Sequence, residues 1–242
     1  SPPLDPTTSG FTLTGNNAGD SFGRSVSNAG DVNGDGFDDI LIAAPNKNGN
    51  QGQIYLIYGG PTSSLKNTTL AFTVLDPATT GFTVKGNAPG DYFGFSASGA
   101  GDVNKDGFDD IVVGAYLKGN SRGFVYVIFG RQTSLLKNIE LATETLDPGT
   151  TGFTITGQTT YDKLGVSVSR AGDVNKDGFA DIIVGANDKD TSRGAAYVIY
   201  GSGSPSDIDL QSTTLDATTT GFMVTGQESS NRLGRLVSAA GD

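Results

Sequence analysis

An acidic stretch of nine residues, Asp31-Val-Asn-Gly-Asp-Gly-Phe-Asp-Asp39, occurs three times in this 242-residue chain. The other copies run from Asp102 to Asp110 and from Asp173 to Asp181. Each copy has oxygen-bearing side chains at positions 1, 3, 5 and 9, and a glycine at position 6 where the backbone can reverse. Such a turn directs several oxygens at one centre, and Ca²⁺ is a hard cation that takes about six to eight oxygen ligands. The spacing therefore predicts one calcium ion per loop, or about three per chain.

The predicted ligands follow one scheme in all three copies. Side-chain oxygens come from positions 1, 3 and 5, a backbone carbonyl comes from position 7, and the acid at position 9 closes the site. The predicted metal ligands are Asp31, Asn33, Asp35, Phe37 and Asp39 in the first copy, Asp102, Asn104, Asp106, Phe108 and Asp110 in the second, and Asp173, Asn175, Asp177, Phe179 and Asp181 in the third. Position 9 is favoured over position 8 as the last ligand, because position 8 is Asp38, Asp109 and then Ala180.

Three other interpretations of the loop are weaker. An EF-hand needs a bidentate Glu at position 12 between helices, whereas position 12 is Ile42, Val113 or Val184 in an apolar, strand-like stretch. Ordinary hairpin turns also use Asp, Asn and Gly, but they do not require acids at positions 1, 5 and 9 in three copies. Magnesium prefers a strict octahedron that retains several waters, so calcium is the better match.

The whole chain is one repeat region, 1–242. Gly-Asp pairs begin at residues 30, 101, 172 and 241, and Gly-Phe pairs begin at 10, 81, 152 and 221. These steps of 71, 71 and 69 residues predict repeats at approximately 10–80, 81–151 and 152–220, with a partial repeat at 221–242.

Four strand-like stretches follow one another over about one repeat length, at residues 24–29, 39–44 and 53–58 and, after a longer connection, at 81–85, where the second repeat begins. The third is almost wholly apolar, as expected of a strand covered on both faces, and the fourth alternates like an outer strand. Four strands per repeat predict an all-β fold of β-propeller blades, each with four antiparallel strands. A solenoid also shows a fixed period and is the alternative architecture.

Composition limits the function classes. The net charge of −10 and the pI near 4.3 argue against nucleic acid and against an anionic membrane surface as partners. The absence of His and Cys removes the commonest general base and the thiolate nucleophile. No apolar run is long enough for a membrane span. We therefore expect a non-enzymatic protein without membrane insertion.

The motifs resemble the FG-GAP repeat of integrin α-subunit propellers and their bacterial relatives. Phe-Gly pairs begin at residues 22 and 93, with Leu-Gly at 164 and 233, and the Gly-Ala-Pro element is matched by Ala43-Ala44-Pro45 and by weaker copies at 114–116 and 185–187. The resemblance implies propeller blades, bound calcium, a secreted or cell-surface location, and a role in adhesion or partner recognition.

Three repeats do not close a ring, because propellers typically have about four to eight blades. Further repeats outside this chain, pairing of two chains and end-to-end joining through open blade edges are the three explanations. The predicted partner is accordingly a protein or glycan at a surface, or another copy joined at a blade edge. The alternatives to an adhesion module are a structural subunit of a surface layer or filament and, with less support, a carboxylate-based hydrolase.

Overall fold

The computed structural model describes residues 10–15, 17–61, 68–69 and 75–239, and the regular structure there is almost entirely β. The strands in these ranges, in chain order, are β1 (Leu13–Thr14), β2 (Val26–Gly30), β3 (Asp39–Ala44), β4 (Gln53–Ile57), β5 (Thr68–Thr69), β6 (Gly81–Lys85), β7 (Ser96–Gly101), β8 (Asp110–Ala115), β9 (Phe124–Ile128), β10 (Ile139–Glu140), β11 (Gly152–Thr156), β12 (Leu164–Gly172), β13 (Asp181–Ala186), β14 (Ala195–Ile199), β15 (Ile208–Asp209) and β16 (Gly221–Thr225). The Gly-Asp pair at 241–242 lies outside the described residues.

Each antiparallel blade takes its first three strands from one repeat and its fourth strand from the start of the next. The first blade is β2-β3-β4-β6, the second is β7-β8-β9-β11 and the third is β12-β13-β14-β16. The predicted strands at 39–44 and 81–85 are confirmed residue for residue, and the other two differ by one or two residues at their ends. The all-β propeller-blade prediction is thus confirmed, with three blades and no closed ring in the described part of the chain.

The core lies between neighbouring blades. Leu41 and Leu56 of the first blade and Ile111 of the second are fully buried in one shared cluster. The inner strands of successive blades also lie side by side, with β2 against β7 and β7 against β12. The third strand of the middle blade, β9, is buried because a neighbouring blade covers each face, as the sequence predicts. In the first blade, Tyr55 of β4 instead packs against Phe22 and Leu75 on the face away from the second blade.

The long connection in each repeat adds a short parallel strand to the preceding blade. Strand β10 pairs with β6 so that Ile139 lies opposite Val84, and β15 pairs with β11 so that Ile208 lies opposite Ile155. Strand β5 pairs with β1 in the same way. The first two blades therefore have a fifth strand that the sequence analysis does not predict.

Three four-residue helical turns, α1 (Lys47–Asn50), α2 (Lys118–Ser121) and α3 (Lys189–Ser192), join the second and third strands of the blades. Each contains two consecutive residues in the left-handed region. The first lysine of each turn faces an aspartate 27 residues earlier, at 3.7 to 3.8 Å. A 3-10 turn spans Thr133–Leu135. Within the described ranges, every helix is too short to cross a bilayer.

Glycines allow the backbones of successive blades to touch. Gly123 has a φ of +84°, and a Cβ placed there would lie 2.2 Å from the carbonyl oxygen of Leu164. Gly52 and Gly194 make the same approach to Phe93 and Leu233. This position therefore requires glycine both for its backbone conformation and for the contact between blades.

We expect Gly123→Ala to destabilise the protein by about 3 kcal/mol or more, because it adds a steric clash to left-handed strain. The matched control is Gly90→Ala, at a φ of +88° where a new Cβ would meet nothing within 4 Å. The control should cost only about 1 kcal/mol. Urea unfolding of both variants measures the difference, and equal costs would show that the blades are not in backbone contact here.

Candidate metal-binding loops

The three acidic loops occupy the same place in each blade, between its first and second strands. Residues 31–38 join β2 to β3, residues 102–109 join β7 to β8, and residues 173–180 join β12 to β13. The loops therefore sit between strands, as the sequence predicts, and all three lie on equivalent hairpins.

The aspartate at position 1 organises the turn. The Asp31 carboxylate accepts hydrogen bonds from the backbone N–H groups of Gly34, Asp35 and Gly36, at 2.8, 3.0 and 2.9 Å. Asp102 and Asp173 accept the bonds from positions 5 and 6 of their own loops at 2.9 to 3.1 Å. This carboxylate thus satisfies the backbone donors that the tight turn exposes.

Positions 3 and 5 are in direct contact. The amide oxygen of Asn33 accepts from the Asp35 N–H at 2.8 Å, and its amide nitrogen donates to the Asp35 carboxylate at 3.0 Å. The Asn104–Asp106 and Asn175–Asp177 pairs repeat both bonds. The structure therefore brings positions 1, 3 and 5 together in every loop.

Position 9 is buried and is held by two distant backbone groups. Asp110 has no exposed surface, and its two carboxylate oxygens accept from the N–H groups of Val103 and Gly130 at 2.8 and 2.9 Å. Asp39 and Asp181 make the equivalent pairs of bonds. The acid at position 9 therefore ties its loop to the second residue after the third strand of the blade.

Burial is the main influence on these position 9 acids. It raises the pKa of Asp39 to about 7, and the neighbouring charges of Asp35 and Asp31 add to the rise while the two backbone hydrogen bonds oppose it. The same causes raise the pKa of Asp110 well above its ordinary value and raise the pKa of Asp181. Each loop therefore concentrates negative charge around a buried carboxylate, which favours a proton or a cation nearby.

Positions 7 and 8 make contacts between blades that the sequence analysis does not predict. The Phe108 ring lies against Gly34 of the preceding loop, where an added Cβ would be 2.5 Å from the ring. Asp109 accepts from the Asp31 backbone N–H at 2.9 Å and donates its own N–H to the Asp31 carbonyl at 3.1 Å. Side chains at these positions are thus engaged with the neighbouring loop.

The donor set of each loop fits calcium in its chemistry. It offers three carboxylates and one amide, all hard oxygen donors. Among the described residues, no three acidic side chains already converge as a ready metal cage, because N–H groups of the turn occupy the oxygens at positions 1, 3 and 5. A bound cation would take the Asp35 carboxylate oxygen that accepts a hydrogen bond from the Asn33 amide nitrogen. The equivalent bonds in the loops at 102–110 and 173–181 would be replaced in the same way.

The three loops lie in segments that match a known repeat family. The FG-GAP repeat model matches residues 22–57, 93–128 and 165–199, and each segment spans a loop with the strands on either side. Integrin alpha-PS2 of Drosophila melanogaster is 35% identical over 164 residues, which cover 61% of this chain and 11% of that protein. Integrin alpha pat-2 of Caenorhabditis elegans is 34% identical over 186 residues, covering 72% of this chain and 13% of that protein.

A relative with a different name shares the same region. The phosphatidylinositol-glycan-specific phospholipase D of Dictyostelium discoideum is 31% identical over 205 residues, covering 79% of this chain and 21% of that protein. The chain thus spans between about a tenth and a fifth of the length of these three relatives. The shared region is a module within larger proteins of more than one kind.

We expect Asp110→Ala to destabilise the chelator-treated protein by about 3 kcal/mol, because it leaves the buried N–H groups of Val103 and Gly130 without acceptors. The matched control, Asp38→Ala, also removes one carboxylate, but from an exposed position whose bond to Asn28 is solvent-accessible. The control should cost less than about 1 kcal/mol. Urea unfolding in chelator tests this, and similar costs for both variants would contradict the anchoring role of position 9.

Proposed function

Since the chain is built from FG-GAP repeats, we propose that it is an extracellular, calcium-dependent recognition or adhesion module without catalytic activity. The observation that carries this proposal is the threefold recurrence of one loop geometry, in which positions 1, 3 and 5 meet above a buried acid. The similarity to integrin alpha subunits over most of the chain supports the adhesive role.

Calcium in these loops would be structural. The residues that would hold it are Asp31, Asn33, Asp35, the Phe37 carbonyl and Asp39, together with their counterparts in the other two loops. The ion would supply the positive charge that three clustered carboxylates per loop lack, and three ions would change the formal charge of the chain from −10 to about −4. Asp39 would then keep its two backbone bonds in the ionised form.

The same proposed sites are consistent with an extracellular location. Calcium sites of extracellular modules commonly have dissociation constants of about 10⁻⁴ to 10⁻³ M, so they fill outside cells and stay largely empty in the cytosol. A module stabilised in this way is suited to a surface where calcium is abundant. Its partner would be a protein or a glycan presented at that surface.

The proposal predicts a specific calcium stoichiometry. Wild-type protein should bind about three calcium ions, one for each loop. Asp35→Ala should bind about two, because the first loop loses a ligand, whereas Asp38→Ala removes the same charge from the same loop and should still bind about three. Calorimetric titration with calcium, combined with a metal count, decides this, and three ions in Asp35→Ala would exclude the predicted ligand set.

A further inference from the structure

A cavity of about 530 Å³ opens where the inner ends of the blades meet. The residue that follows the Phe-Gly or Leu-Gly pair reaches it from all four places in the chain: Arg24, Phe95, Val166 and Arg235. Arg232 also lines it. We call this space the arginine cavity and define it by Arg24, Arg232 and Arg235.

The arginine cavity is positively charged in an acidic protein. The chain has 26 acidic and 16 basic residues, yet among the described residues neither Arg24 nor Arg235 forms an ion pair. The Arg232 Nε lies 3.8 Å from an Asp188 carboxylate oxygen. That carboxylate also binds Lys163 at 2.7 Å, so the one acid that pairs with an arginine of the cavity is already neutralised by a lysine. The ligand that complements this charge therefore carries an anionic group that the guanidinium groups can bind.

The rest of the wall favours a protein ligand over a saccharide. Ala97, Val166 and Val168 make part of the wall aliphatic. The Phe95 ring has Arg24 over its face at 4.5 Å and Tyr116 beside it at 4.4 Å, so it offers no open aromatic face for a sugar ring. A peptide supplies aliphatic side chains and a carboxylate together.

We propose that the arginine cavity binds an Asp or Glu side chain of a partner protein, flanked by aliphatic residues. This inference deepens the proposed recognition function and rests on it. The guanidinium groups of Arg24, Arg232 and Arg235 would hold the carboxylate by charge-assisted hydrogen bonds.

The test titrates the full chain, in millimolar calcium and low salt, with the probe peptide acetyl-Gly-Leu-Glu-Leu-Gly-amide. The same peptide with Gln in place of Glu is the ligand control. We expect the Glu peptide to bind at least about tenfold more tightly than the Gln peptide, and to weaken as salt is added. Arg235→Gln should weaken binding about tenfold, whereas the matched control Arg193→Gln, exposed and outside the arginine cavity, should leave it unchanged.

Equal binding of the two peptides, or unchanged binding by an Arg24→Gln, Arg232→Gln and Arg235→Gln triple variant, would overturn the inference. Binding of a sulfated disaccharide without binding of the Glu peptide would overturn the assignment to a protein ligand. Calcium-dependent melting of the same samples keeps the two proposals separate. If calcium raises the melting temperature but the peptide does not bind, only the inference about the arginine cavity is contradicted. If calcium leaves the melting temperature unchanged, the proposed function is contradicted.

Discussion

The rest of the fold depends on three buried carboxylates, Asp39, Asp110 and Asp181. Each accepts one hydrogen bond from its own loop and one from the second residue after the third strand. A buried carboxylate is costly unless hydrogen bonds or a cation compensate its charge. The loop above it must therefore keep a fixed shape, and the clustered acids at positions 1 and 5 give that loop a reason to bind calcium.

The constraint is transmitted from blade to blade because the loops touch one another. Asp109 of the second loop bonds to the backbone of Asp31 in the first, and Ala180 of the third bonds to the carbonyl of Asp102 through its backbone. The glycine contacts near Gly123 and the added strands β10 and β15 join the same blades at other points. Ordering one loop therefore stabilises its neighbours, as in repeat proteins generally.

Local patterns in the sequence predict much of this arrangement. The apolar run at 39–44 and the oxygen spacing of Asp31, Asn33 and Asp35 are features of short segments, and the structure confirms the strand and brings these three side chains together. Asp39 also accepts a hydrogen bond from the backbone N–H of Gly59, twenty residues later. Local spacing cannot predict such a bond, because the folded blade alone brings the two residues together.

Other features arise only from the packing of whole repeats. Strand β10 has two residues, which are too few to give a periodic hydrophobic pattern in the sequence. It forms by pairing with β6 of the preceding blade, where Ile139 lies opposite Val84. The arginine cavity combines residues from positions as distant as Arg24 and Arg235. In the sequence these arginines are isolated charges. They line the same cavity only because the blades pack against one another in the folded protein.

The most direct test of the structural role of calcium is the melting temperature of the whole chain in millimolar calcium and in excess chelator, with bound metal counted on the same samples. Sites with dissociation constants of about 10⁻⁴ to 10⁻³ M each add about 1 to 2 kcal/mol at a few millimolar calcium. The account predicts a melting temperature several degrees higher in calcium, about three bound ions, and a smaller effect of magnesium. An unchanged melting temperature with no bound metal would show that the loops are ordinary turns closed by their own hydrogen bonds.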